Sequence, residues 1–135
     1  MVRFKKWIPP TFDDKNMTRW NWMCQYHENL KLADNVDIGA FTYINAKYGV
    51  EMGRNVQVGS HCSIYSESTI DGRRGRVVLM DDVRVGTHSV IFPGVTIGKG
   101  TIIGACSLVN ESLPEGVMAF GTPAKIISKQ AEPEP

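Results

Sequence analysis

The sequence predicts an all-β chain wound as a left-handed parallel β-helix of about four coils, with a helical cap at its N-terminal end. Three observations lead there. An aliphatic residue recurs at every sixth position. Glycine follows that residue in six of twelve units, at 39, 53, 59, 86, 98 and 104. The fifth place of a unit is small or β-branched in most units, as at Val36, Thr42, Val56, Cys62, Ser68, Val83, Ser89, Val95, Thr101 and Ser107.

The repeat is clearest in VGTHSVIFPGVTIGKGTIIGACSLV, residues 85–109, where Val85, Ile91, Ile97, Ile103 and Val109 stand six apart. A helix repeats at 3.6 and a strand at 2, so neither produces a bare period of six. Extended backwards, the grid takes in Leu32, Ile38 and Ile44. A two-residue slip follows, then Met52, Val58 and Ile64. A nine-residue interruption, 70–78, precedes the restart at Leu79. Ile, Leu, Val and Met are only 35 of the 135 residues, yet they fill all twelve grid positions, so chance is a poor explanation.

A turn every six residues gives a triangular coil of 18. The aliphatic residue points inward and stacks on its counterpart one coil away, at roughly the 4.8 Å strand spacing. The small fifth residue also points inward, where the triangle leaves little room. Gly, Asn and Asp near the corners tolerate positive φ. Twelve units make four coils, residues 32–113, with the handedness opposite to the usual crossover. An antiparallel sandwich would instead show two-residue alternation and irregular loops.

The flanks differ. In FDDKNMTRWNWMCQYHENL, Asp13 or Asp14 is an N-cap candidate, and Met17, Trp20, Cys24 and His27 have helical spacing. This predicts a helix over 14–28 covering the open end of the prism, whose sheet edges need a cap. Trp7, Trp20 and Trp22 all fall here and read as cap packing. The expected division is a cap over 1–31, the β-helix domain over 32–128, and a disordered tail over 129–135.

Composition narrows the function. A net charge of +1 demands neither nucleic acid nor an anionic membrane. No apolar run approaches the ~20 residues of a membrane span, and MVRFKKWIPP lacks the apolar core of a secretion signal. Cys24, Cys62 and Cys106 are odd in number and unpatterned. They read as small packed hydrophobes in a reducing, cytoplasmic setting.

The stretch at 85–109, followed by LPEGVMAFGTPAKII, resembles the hexapeptide-repeat acyltransferases, in particular the sugar branch similar to galactoside and maltose O-acetyltransferases. The resemblance covers roughly 32–128. It implies acyl transfer from acetyl-CoA to a sugar or nucleotide-sugar, and a homotrimer with active sites in the grooves between prisms. In the branch motif G-[ST]-H-x-x-I-x-P-G-V-x-I-G the histidine is the catalytic base, and His88 holds that place. The terminal G-x-P-[AC]-K/R signature matches Gly121-Thr122-Pro123-Ala124-Lys125, which puts Thr122 and Lys125 near the coenzyme. The family's I-G-A-G-S is here Ile103-Gly104-Ala105-Cys106-Ser107, so a side chain stands where the pantetheine arm passes.

The grid speaks to His88 independently. It is fourth in its unit, near a corner and facing outward. His61 is also fourth, 27 residues earlier, which is one coil plus the nine-residue interruption. If that interruption is a loop, the two are neighbours, in a column running Phe41, His61, His88, Cys106, beside an excursion carrying Asp71, Arg73, Arg74 and Arg76.

A histidine is matched to removing the proton of an attacking hydroxyl at neutral pH. A backbone N–H at Gly104 or Ala105 is the candidate oxyanion donor. His61 is either a substrate contact or corner packing. Arg73 and Arg74 either hold a phosphate of the acceptor or form a solvated loop. Lys125, Lys129 and Lys99 are the cations available for coenzyme phosphates, although surface lysines are usually only solvated.

Two other functions compete. A metalloenzyme similar to γ-class carbonic anhydrases needs three histidine ligands. This chain has three histidines in all, one of them in the cap, and the close pair five apart is missing, because Pro93 stands there. No metal is therefore expected. A non-catalytic β-helix would serve as an interaction module and would not recognise acetyl-CoA.

Overall fold

A computed structural model describes residues 4–129. The chain visits three faces in turn, and each face is a parallel sheet. The first stacks Met23–Gln25, Tyr43–Asn45, Ser63–Tyr65, Val90–Ile91 and Leu108–Val109. The second stacks Leu30–Leu32, Val50–Met52, Val77–Leu79 and Thr96–Ile97. The third stacks Asp37–Ile38, Gln57–Val58, Arg84–Val85, Ile102–Ile103 and Val117–Gly121, and the antiparallel strand Ala124–Lys129 closes it. The result is the left-handed parallel β-helix that the repeat predicts.

Register follows the grid. Leu32, Met52, Leu79 and Ile97 are paired in sequence along the second face. Ile38, Val58, Val85 and Ile103 align on the third, and Ile44, Ile64, Ile91 and Val109 on the first. Eleven of these twelve are buried, and Leu32 packs partly buried against them. Full burial of such a side chain contributes about 1.5–3 kcal/mol, so the columns are the main source of stability.

The small inward residues fill the corners and satisfy backbone there. Thr42 Oγ1 donates to the Gly59 carbonyl at 2.9 Å, and Ser107 Oγ donates to the Gly104 carbonyl at 2.7 Å. Gly59 and Gly86 are required by the coil spacing itself. A Cβ at Gly59 would lie 2.7 Å from the Thr87 nitrogen, and one at Gly86 2.5 Å from the Ala105 nitrogen.

The interruption is a small antiparallel hairpin, Glu67–Ser68 with Arg73–Arg74. It leaves the coil after the first-face strand and returns before the second.

Two expectations are corrected. The coil has about five turns, because Met23–Gln25 already belongs to the first face and Val117–Gly121 to the third. Cys24 and Ala119, both fully buried, occupy the inward places of these outer turns. They are not aliphatic in the grid's sense, so the grid stops short at both ends.

The helix over 14–28 is absent. Asp13 caps a turn, with Oδ1 accepting from the N–H groups of Lys15 and Met17 at 2.8 and 3.0 Å. Asn16, Asn21 and Tyr26 then take φ of 63°, 66° and 59°, which no α-helix accommodates. A 3₁₀ turn, His27–Asn29, is the only helical piece in that span. The end of the prism is covered instead by aromatic packing. Trp22 is buried, and Phe12 meets it edge-on at 5.6 Å. The Trp7 indole N–H donates to the Val36 carbonyl at 2.9 Å. Of the tail expected to be disordered, Lys129 ends a strand, and 130–135 lie outside the described residues.

Candidate active site

The corner between the third and first faces carries the reactive side chains. Phe41, His61, His88 and Cys106 occupy successive coils there, and all four are left-handed, with φ of 65°, 57°, 60° and 61°. His61, His88 and Cys106 each donate their N–H to the residue before the left-handed position one coil back, Ala40, Ser60 and Thr87, whereas Phe41 donates to the left-handed Asn21 itself. The corner between the second and third faces has the same conformation but fills it with Asn35, Asn55, Asp82, Gly100 and Gly116. Those residue types adopt it cheaply, whereas other side chains pay roughly 1–2 kcal/mol. Four such side chains in successive coils, against the single Tyr26 elsewhere among the described corners, mark this corner as a place where side-chain chemistry outweighs backbone comfort.

The turn projects these side chains outward. His61 and His88 stack with ring centres 4.7 Å apart and planes 5° from parallel, and Phe41 lies 5.2 Å from His61 at 41°. Phe41 is 64% exposed, unusual for so large an apolar side chain in a strained turn. His88 Nδ1 is 2.9 Å from the Thr87 hydroxyl, which donates to the Ser60 carbonyl at 2.8 Å. Ser60 Oγ is 3.2 Å from the same hydroxyl. Neither Ser60 nor Thr87 stands out by periodicity. The available signal was a hydroxyl residue directly before each repeat histidine.

Of the two oxyanion candidates, the Gly104 N–H is already engaged, donating to the Ala119 carbonyl at 2.9 Å. The exposed Ala105 has no hydrogen bond from its N–H among the described residues. Cys106 is exposed, unlike Cys24 and Cys62, which pack in the core as expected. Burial pushes the Cys24 thiol up to about 12 and raises that of Cys62 as well.

Thr122 comes to the same corner, its hydroxyl 3.4 Å from the Cys106 carbonyl. Lys125 is exposed and pairs in register with Phe120 near this edge, while Lys129 pairs with Val117 at the far edge of the third face. Lys99 also lies at that far edge, where its carbonyl accepts from Gly116.

Arg73 and Arg74 are not brought to the histidines. Their hairpin leaves from the opposite edge of the first face, on the order of 15 Å away across a short strand and its turns. There Arg73 lies over Phe92 at 5.2 Å, and Arg74 donates to the Tyr48 hydroxyl at 3.2 Å. The excursion is thus one corner removed from the column, because it begins after the first-face strand and the histidines precede it.

A groove of about 420 Å³ runs along the third face to this corner, lined by Gln57, Arg84, Gly86, Thr87 and Ile102 among others. A larger one, about 480 Å³, lies on the second face between Lys31, Glu51, Met80 and Lys99. The smaller groove is the one placed for chemistry, because its lining reaches Thr87, the residue next to His88, whereas the larger one lies on another face.

Residues 76–111 match the family model described as bacterial transferase hexapeptide (six repeats). The chain is 36% identical over 80 residues to a 2,3,4,5-tetrahydropyridine-2,6-dicarboxylate N-acetyltransferase of Staphylococcus aureus, covering 59% of this chain and 33% of that protein. It therefore spans about a third of the length of the curated relatives it matches.

Among solved structures, a hexapeptide-repeat acetyltransferase from Vibrio cholerae, complexed with acetyl coenzyme A, aligns with a TM-score of 0.76 at 26% identity, over 82% of this chain and 66% of that one. A maltose O-acetyltransferase from Clostridium difficile aligns at 0.74 and 27%, over 83% and 65%. The repeat and the three-faced coil are thus shared with hexapeptide-repeat acetyltransferases: the family model matches residues 76–111, and the solved acetyltransferase structures have the same fold.

Proposed function

We propose that the protein transfers an acetyl group from acetyl-CoA to a hydroxyl or amine of a sugar or nucleotide-sugar, with His88 as general base. The observation that supports it best is the position of His88: exposed at a left-handed corner, next to Thr87 in the lining of a groove, and one coil from the exposed Ala105, whose N–H is uncommitted among the described residues. The similarity to a maltose O-acetyltransferase, to an N-acetyltransferase and to a hexapeptide-repeat acetyltransferase complexed with acetyl coenzyme A supports acetyl-CoA as the donor.

The acceptor oxygen attacks the thioester carbonyl carbon, and its proton passes to the His88 imidazole. A C–O bond forms, and negative charge gathers on the carbonyl oxygen. The Ala105 N–H donates to that oxygen in place of Gly104, whose N–H is committed. The intermediate then collapses: the C–S bond breaks, and the imidazolium returns the proton to the departing thiolate.

Gly104, Ala105 and Cys106 line the pantetheine path, with Thr122 beside it and Lys125 toward the phosphates. His61 and Phe41 extend the column on the acceptor side. The active unit is a homotrimer, with the groove at each histidine corner closed by a neighbouring prism. In that arrangement Arg73 and Arg74 reach an acceptor phosphate only from a neighbouring subunit, since their own corner is remote.

The test is thiol release from acetyl-CoA against a panel of free and nucleotide-linked sugars and amino sugars. Acceptor-dependent release supports the proposal. A protein that binds no acetyl-CoA contradicts it and favours an interaction module.

A further inference from the structure

Among the corner residues that precede the left-handed column, hydroxyls occur only beside the histidines. The places are Ala40, Ser60, Thr87 and Ala105, before Phe41, His61, His88 and Cys106. The Thr87 hydroxyl has one proton. It lies 2.8 Å from the Ser60 carbonyl oxygen, which carries no proton and accepts only. Turned elsewhere, that proton would leave two sets of lone pairs facing each other at this distance. The proton is therefore spent on Ser60, and the 2.9 Å contact with His88 Nδ1 is made by an N–H on the ring. Ser60 Oγ, 3.2 Å away, adds a second donor to Thr87.

We infer that Thr87 is a positioning residue: anchored on the Ser60 carbonyl, its hydroxyl holds His88 in the Nδ1–H tautomer and leaves Nε2 as the proton acceptor. This rests on the base role proposed for His88 only where activity is concerned; the tautomer itself does not. Which ring nitrogen bears the proton is set by the hydrogen bond the other makes. Free histidine favours Nε2–H, the form in which the outward nitrogen has no lone pair to offer. The relay Ser60–Thr87–His88 reverses that preference. During turnover Nε2 takes the acceptor's proton and later gives it to the thiolate, while the Nδ1 proton stays on the ring, hydrogen-bonded to Thr87, throughout. The stack on His61 fixes the ring plane but does not choose between the nitrogens.

The experiment is ¹⁵N NMR of the imidazoles in the folded full chain, at a pH where they are neutral. The protein has three histidines, so His88→Ala identifies the signals of His88 by difference. The comparison is wild type, Thr87→Ser and Thr87→Ala. Alanine already fills the same corner place at 40 and 105, so the fold accepts it. Wild type and Thr87→Ser should show Nδ1–H with an unprotonated Nε2, and Thr87→Ala should shift toward Nε2–H.

In the acetyl-CoA assay, Thr87→Ala should lower kcat about 10–100-fold, the range for loss of an orienting partner. The Michaelis constant for acetyl-CoA should stay constant, and Thr87→Ser should recover most of the rate. An Nε2–H wild type, or a tautomer unmoved in Thr87→Ala, overturns the inference. A fully active His88→Ala overturns the base role instead, and the tautomer result still stands or falls by itself.

Discussion

The imidazoles of His61 and His88 lie face to face at 4.7 Å, although a whole coil and a hairpin separate them in sequence. The contact exists because Ser63 and Ile64 pair with Val90 and Ile91, so the preceding corners stack in register. One consequence is that the two rings share a wall of the groove and should divide its work. His61→Ala should mainly raise the Michaelis constant for the acceptor, several-fold, with a smaller change in kcat. Steady-state kinetics at saturating acetyl-CoA checks this. A fall in kcat as deep as that of His88→Ala would mean that His61 takes part in the proton transfer.

The cysteines should differ in reactivity. With its thiol pushed to about 12 by burial, Cys24 is about 10⁻⁴ thiolate at pH 8, and Cys62 is also buried and raised. Alkylation of the folded protein at pH 8 should therefore label Cys106 first, read by peptide mass. Acetyl-CoA should slow that labelling, because the proposed coenzyme path runs past this side chain. Early labelling of Cys24 would contradict its place in the core.

What the sequence revealed follows from what kind of residue did each job. The coil was legible because its inward residues are aliphatic and evenly spaced. Its outer turns were not, because Cys24 and Ala119 do the same work with small side chains. Met17, Trp20, Cys24 and His27 mimic a helical face by spacing alone, and the asparagines at 16 and 21, in left-handed turns, were the contrary signal. The histidine column could be read from the period. Its hydroxyl supports could not, since Ser60 and Thr87 act through hydrogen bonds across coils. The arginine hairpin was located in sequence but assigned to the wrong corner, because a period gives the face of a residue only once the corner of departure is known.

Gly86 should not tolerate a side chain. The Cβ of Gly86→Ala would sit 2.5 Å from the Ala105 nitrogen, and backbone in the middle of a stack cannot step aside. The expected loss is about 1–3 kcal/mol, seen in denaturant unfolding. An unchanged midpoint would mean that the coils are not packed as tightly as described.

Phe41 should be replaceable with a gain in stability. It is exposed and left-handed, so Phe41→Asn removes little buried area and relieves about 1 kcal/mol of backbone cost. Asparagine already stands at the equivalent place one coil earlier, Asn21. The melting temperature should rise while the Michaelis constant for the acceptor also rises. A stabilised variant with unaltered acceptor kinetics would remove Phe41 from the site.

The outward column of the first face, Met23, Tyr43, Ser63, Val90 and Leu108, is largely apolar and only half-buried in one prism. Cyclic threefold association would cover such surface and close three equivalent grooves. Light scattering should give about three times the mass of one chain across a range of concentrations. A monomer with full activity would contradict a site shared between subunits.

The most direct measurement is turnover of His88→Ala beside its affinity for acetyl-CoA. A general base contributes about 10²–10⁴-fold in rate, equivalent to roughly 3–5 kcal/mol of barrier, and acts in the transition state rather than in ground-state binding. On a hydroxyl acceptor, the folded variant should lose kcat by that factor and bind acetyl-CoA as wild type does. Full activity on a hydroxyl acceptor from a correctly assembled His88→Ala would contradict the assignment of His88 as the base.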